Sequence, residues 1–284
     1  VLIGAVFNII LDPIFIFGFK MGVSGAALAT VISQAVSCIW VMSFLSGNKS
    51  RLRIKKKNLR LSAGVILPCL SLGSSLFIMQ ASESILSVCF NSSLLKYGGD
   101  IAVGAMTILS TLMQFSLLPL QGMSQGAQPI TSYNLGAGKP ERVKQSVMLL
   151  LKVCFAYSML FWITLMLFPT FYVKLFNSNA ELVTYTQWAM RIYFAVLGIF
   201  GVQIACQQSF IALGNAKSSV FLALLRKVIL LIPLIYILPH FLENKAFAVY
   251  LAEPVADIIA VSTTSVMFYK YFKKVLNNMQ KKNN

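Results

Sequence analysis

Long apolar runs alternate along the chain with short polar or basic interruptions. Eight runs stand out, at about 1–17, 23–45, 62–95, 101–130, 147–170, 182–213, 219–238 and 246–269. A hydrocarbon core about 30 Å thick takes about 20 helical residues, so each run has a length fit to cross one. None shows the two-residue alternation of a barrel strand. The pattern predicts an all-α polytopic membrane protein with eight transmembrane helices. The interruptions read as turns: Gly18-Phe19-Lys20-Met21-Gly22, Lys96-Tyr97-Gly98-Gly99-Asp100, a Gly- and Pro-rich stop over 133–140, and Gly214-Asn215-Ala216-Lys217.

Polar residues inside the runs carry the candidate chemistry. Asn8 and Asp12 lie four apart and share one helical face. A charge at membrane depth costs at least about 2.5–3.5 kcal/mol on the insertion scale, so an acid there is a functional candidate. Pro13 lacks an N–H and frees a carbonyl beside the acid. Carboxylate, amide oxygen and loose carbonyl together suit Na⁺ or a proton, and nothing points to a transition metal. Across the turn at Lys20, Thr30 comes to a similar depth as a third polar group. A threonine bonded back to its own helix is the equal alternative. The small residues over 22–29 read as close helix packing.

Further along, Gln80 and Glu83 sit three apart in the third run. Glu83 binds a cation or a cationic substrate in one reading and is a protonated acid bonded to a neighbour in the other. Gln121, Gln125 and Gln128 form one stripe, expected to face a polar interior. Gln203, Gln207, Glu253 and Asp257 complete the candidates for lining a substrate cavity.

Composition agrees with the pattern. Of 284 residues, 57% are hydrophobic and 11% charged, against about a quarter charged in a soluble domain. The net charge of +16 is no nucleic-acid footprint, because the basic residues fall between apolar runs. Residues 49–60 hold seven basic side chains and no acid, which marks a cytoplasmic segment. Alternating sides from there leaves only Lys20, Lys96, Lys174, Arg191 and Lys245 of the 24 basic residues on the outer side. The tail at 270–284 then lies in the cytoplasm. The five cysteines read as small apolar side chains with no disulfide. The chain opens at Val1 inside an apolar run, without Met or signal peptide, and is expected to be the C-terminal part of a longer protein.

A weak internal repeat is also present. Asp12-Pro13-Ile14-Phe15-Ile16 resembles Ile232-Pro233-Leu234-Ile235-Tyr236, and Leu28-Ala29-Thr30 resembles Leu251-Ala252-Glu253, with Gln34 opposite Asp257. Transporters are often built from such repeats.

Two paired motifs carry a family resemblance. They are Asn8-x3-Asp12-Pro13-x-Phe15 with Gly22-x2-Gly25-Ala26-Ala27-x-Ala29-Thr30, and Gln125-Gly126-x-Gln128-Pro129 with Asn134-x-Gly136-Ala137-Gly138. Here the sequence resembles the multidrug and toxic compound extrusion (MATE) family. The resemblance implies a twelve-helix, two-lobe fold, of which this chain would supply helices five to twelve. Residues 1–46 would close the N-terminal lobe, 47–61 form a basic cytoplasmic linker, 62–269 the six-helix C-terminal lobe, and 270–284 the tail. It also implies a partial N-lobe cation site at Asn8, Asp12 and Thr30. The family's acids on helices seven and ten are not matched cleanly: Glu83 is a few residues off register, and the tenth helix offers only Gln203, Gln207 and Gln208.

The expected function is a cation-coupled antiporter, using Na⁺ or H⁺ and no other cofactor. It would export amphipathic, often cationic, organic compounds through the plasma membrane. A monomer in the bilayer without nucleic-acid partners is expected. Two rivals stand beside it. A flippase for lipid-linked sugars would need a basic cavity, for which Arg191, Arg226 and Lys227 are the available residues. An intramembrane transferase would need a nucleophile–base cluster, and the single His240 lies in a loop.

Overall fold

The structure, a computed structural model, describes residues 2–47 and 63–283; over 63–80 it describes side chains only at 64, 66, 67 and 77, and none beyond 281. The basic segment 49–60 and the Gln80 side chain therefore lie outside the described residues. Every element among the described residues is helical. The chain forms two compact units, Val1–Leu70 and Ser71–Asn284.

In the first unit, α1 (Leu2–Pro13) runs into a π-helical turn at Ile14–Gly18 directly after the proline. The chain then reverses into α2 (Gly22–Ser46). The buried residues of α2 are Gly25, Ala29 and Ser33, one every four positions. A Cβ on Gly25 would come within 2.9 Å of the Phe15 backbone, and one on Gly4 within 2.2 Å of Ser37 Oγ. The small-residue stripe thus lets two backbones touch, which is how helices associate where lipid removes the hydrophobic driving force.

The second unit begins within the first of two helical arms, α3 (63–98) and α4 (100–136), hinged at Gly99. Gly99 has φ 67° and ψ −165°, a region that only glycine enters freely. The arms fold back on each other, so Ser87 and Asn91 of α3 and Thr107 and Thr111 of α4 line one cavity. Next come α5 (Pro140–Leu167), the short α6 (Pro169–Lys174), α7 (Ala180–Tyr193) and α8 (Leu197–Ala212). The unit ends with α9 (Ala216–Leu224), a π segment (Leu225–Leu231), α10 (Ile232–Phe241) and α11 (Lys245–Asn283).

Among the described residues, eight helical arms follow in the predicted order, with three departures. The sixth run is not one rod: α7 and α8 meet at 52°. The bend lets α8 lie against α5, where a Cβ on Gly201 would fall 2.2 Å from the Cys154 carbonyl oxygen. The seventh run widens into its π segment just before Pro233, which cannot donate to the ladder and crowds the carbonyl four residues back. The eighth continues through the basic tail as helix. Phe272, Val275, Leu276 and Met279 recur at helical spacing and pack with Val143, Val147, Phe210 and Leu222.

Phe90, Leu94 and Leu109 of the arms meet Tyr193, Phe200, Ile235 and Tyr250 in the main core. The Tyr250 hydroxyl donates to the Ala102 carbonyl at 2.9 Å, fastening α11 to the start of α4.

A polar cavity and a charge cluster as the candidate functional site

The reversal at Gly99 sets the polar faces of α3 and α4 opposite each other around a cavity of about 600 Å³. Glu83, Ser87 and Asn91 line one wall, and Thr107, Ser110, Thr111, Gln114 and Gln121 the other. Phe90, Met106, Met113 and Tyr193 add apolar, adaptable surface. Glu83 is the charged residue of this lining, and its side chain is 48% exposed. The cavity can offer an organic cation one carboxylate, many hydroxyl and amide groups, and aromatic faces.

Behind this cavity lies a charge cluster. Glu253 and Asp257, one helical turn apart on α11, converge on Arg226 of the π segment. Arg226 donates through Nε to Asp257 Oδ1 and through a terminal nitrogen to Glu253 Oε1, each at 2.5 Å. All three side chains are almost wholly buried. The Phe200 ring covers the guanidinium, with its centroid 4.6 Å away. Lys227, the next residue, points elsewhere on the helix and forms an ion pair with Glu83. Two adjacent basic residues thus serve two different sets of acids.

In the first unit, Asn8 Nδ2 donates to Asp12 Oδ1 at 3.4 Å, and both side chains are half-buried. The shared face of these two residues is therefore present. Thr30 is exposed, and its hydroxyl donates to Ala26 O at 3.0 Å within its own helix. That is the back-bonded alternative.

Of the residues expected to line a substrate cavity, Glu83 and Gln121 do so. Gln125 is exposed and Gln128 half-buried, both nearer the end of α4 than the cavity. The other candidates lie elsewhere in the structure. Glu253 and Asp257 are sealed around Arg226 and are not open to a cavity, because two acids on one buried helix face require a counter-charge. Gln203 is 1% exposed, turned into the packing of α8, and its Oε1 is buried without a partner among the described residues. Gln207 is half-buried and outside the cavity lining.

Sequence reading missed the stripe Thr107, Ser110, Thr111 and Gln114, although its spacing is helical. It also missed the role of Arg226. A depth count about the turn near residue 242 places Arg226 and Asp257 level on antiparallel helices, so that signal was available. The Lys227–Glu83 pair, 144 residues apart, had no such signal.

The MatE family model matches residues 75–237, more than half of the chain. The multidrug export protein MepA of Staphylococcus haemolyticus (strain JCSC1435) is 24% identical over 257 residues, covering 89% of this chain and 56% of that protein. MepA of Staphylococcus aureus (strain N315) is 26% identical over 258 residues, with the same coverage. The chain thus spans about half the length of the relatives it matches. Among solved structures, a MOP superfamily transporter from Pyrococcus furiosus, described as having a binding pocket of reverse polarity, superposes with a TM-score of 0.84 at 21% identity. It covers 96% of this chain and 61% of that one. The outward-facing conformation of a multidrug resistance MATE family transporter gives 0.81 at 22% identity, covering 99% of this chain and 62% of the other. These likenesses establish the fold, and the family match over the Gly99 hinge, the cavity, Arg226 and Lys227 establishes that the chain belongs to the MatE family.

Proposed function

We propose that the protein works as a cation-coupled antiporter, exporting amphipathic organic cations across the plasma membrane, with the C-terminal tail in the cytoplasm. One observation carries this reading: a roughly 600 Å³ cavity whose polar and aromatic lining contains a single, half-exposed carboxylate, Glu83. Such a cavity recognises positive charge while tolerating varied apolar shapes. The relatives named as multidrug export proteins support the substrate class.

Asn8 and Asp12 are the proposed coupling site for Na⁺ or H⁺, with Thr30 joining if its hydroxyl turns from Ala26. Cation binding there would change the charge of a membrane-embedded acid and so bias which packing of the helices is favoured. The flippase rival is disfavoured by the disposition of the basic residues. Arg226 is sealed by two buried acids, and the charged residue lining the cavity is the carboxylate of Glu83, which would repel an anionic headgroup.

The test is ethidium efflux from dye-sensitive bacteria expressing the full-length protein, with an imposed Na⁺ or H⁺ gradient. Wild type should export, and the gradient that drives export names the ion. Asp12→Asn should lose gradient dependence at equal membrane levels. Glu83→Gln should lose export of cationic dyes. Equal export by wild type and Asp12→Asn would remove Asp12 from the mechanism. An inactive wild type would count against drug export altogether.

A further inference from the structure

Glu83 has two faces. One opens on the cavity, and the other meets the Lys227 ammonium. The pair joins α3 to the π segment and is the less buried of the two ion-pair systems, with the glutamate side chain 48% and the lysine side chain 16% exposed. In the other system, Arg226, Glu253 and Asp257 are each under 9% exposed. The chemistry of the two bases differs accordingly. The Arg226 fork is held by two acids and stacked on Phe200, so it is fixed in place. An ammonium is a point charge on a flexible stem, and a partner reached by solvent can be exchanged. The next carboxylate, Glu253, is buried and already bonded to Arg226 through Oε1, with Oε2 left without a partner among the described residues, so Glu83 is the partly exposed acid that Lys227 meets.

We propose that Lys227 is a built-in counter-cation, competing with an organic cation for the Glu83 carboxylate and thereby setting the affinity and charge selectivity of the cavity. An entering cation replaces the lysine at Glu83. The released ammonium is drawn back when the cation leaves, which favours discharge of substrate. Since Lys227 is part of the π segment, occupancy of the cavity is transmitted to α9 and α10. Lys227 is thus a specificity-determining residue. The inference rests on the organic-cation reading given above, and the following measurement separates the two.

Equilibrium binding of tetraphenylphosphonium to the purified full-length protein is measured for wild type, Lys227→Gln, Lys227→Arg, Glu83→Gln and the double variant Glu83→Gln/Lys227→Gln. Removing the competitor should tighten binding about fivefold, the equivalent of one partly exposed ion pair. Lys227→Arg, whose fork grips the carboxylate in two places, should weaken it. Glu83→Gln should weaken binding, and the double variant should behave like Glu83→Gln, since the lysine acts only through that acid. A neutral dye, Nile red, should bind wild type and Lys227→Gln alike. If wild type binds the cation and Glu83→Gln weakens it, yet Lys227→Gln is unchanged or weaker, the pair is a structural tie and this inference falls alone. If no form binds the cation, the organic-cation reading falls and takes this inference with it.

Discussion

At the scale of single residues, burial decides what each charge does. Arg226 contributes little net stability over an apolar substitute for its cluster, since desolvation offsets most of the Coulomb gain. Breaking the cluster is another matter. Arg226→Met would leave Glu253 and Asp257 buried without a counter-charge, and a loss of about 3–5 kcal/mol is expected. The triple variant Arg226→Met/Glu253→Gln/Asp257→Asn should recover most of it. Thermal unfolding of the purified protein in detergent checks both, and a triple variant as unstable as the single would show that the charges are not the cause. By contrast, loss of the partly exposed Lys227–Glu83 pair should change stability by only about 0–1 kcal/mol. The same two residues are therefore open to functional measurement without unfolding.

At the scale of elements, three local devices build the cavity and the cluster. The first is the hinge. Gly99→Ala places a side chain in a backbone region that costs about 1–3 kcal/mol, and α3 can no longer fold cleanly against α4. Reduced thermal stability together with weaker cation binding is expected, since the α3 and α4 walls of the cavity would shift relative to each other. The second device is the contact of α8 with α5. Gly201→Leu would drive atoms into the Cys154 carbonyl and Ser158 Oγ, so the helices must separate. That variant should fail to give monodisperse protein, whereas Gly104→Ala, where an added Cβ meets nothing closer than 3.4 Å, should be tolerated. The third is the π segment, whose widened turn aims Arg226 at α11 and Lys227 at α3. π-turns are often found at functional sites, and here the turn carries both basic residues.

At the scale of the whole molecule, two kinds of driving force meet. The small-residue stripe of α2 works where the surroundings are apolar, by close contact and not by hydrophobic burial. The helical tail beyond residue 269 follows the aqueous rule, with Met279 buried beneath it and Lys270, Lys273 and Lys274 exposed. Met279→Ala should cost about 2 kcal/mol, near the lower end for a buried methionine because the site is at the edge of its cluster. Limited proteolysis should then cut the tail faster in the variant. An unchanged cleavage rate would mean the tail is held by its exposed residues instead. Asp12 and Glu83 belong to different units, so coupling between them is a question for the full-length protein in a membrane.

The sequence by itself determined the class of molecule, the order of its eight helical arms, and the pairing of Asn8 with Asp12. These depend on local quantities: run length, a four-residue spacing, and Gly or Pro at a turn. It also marked every acid later found in the cavity or the cluster. Tertiary structure alone decided what each acid is for. Glu83, Glu253 and Asp257 look alike along the chain, but only one opens on a cavity. The distinction comes from which side of a helix meets which neighbour, and a π-turn or a 52° bend resets that facing without altering hydropathy. The Lys227–Glu83 contact spans 144 residues and joins helices that are not sequence neighbours. No periodicity within either helix encodes such a contact, because it arises from how the helices pack.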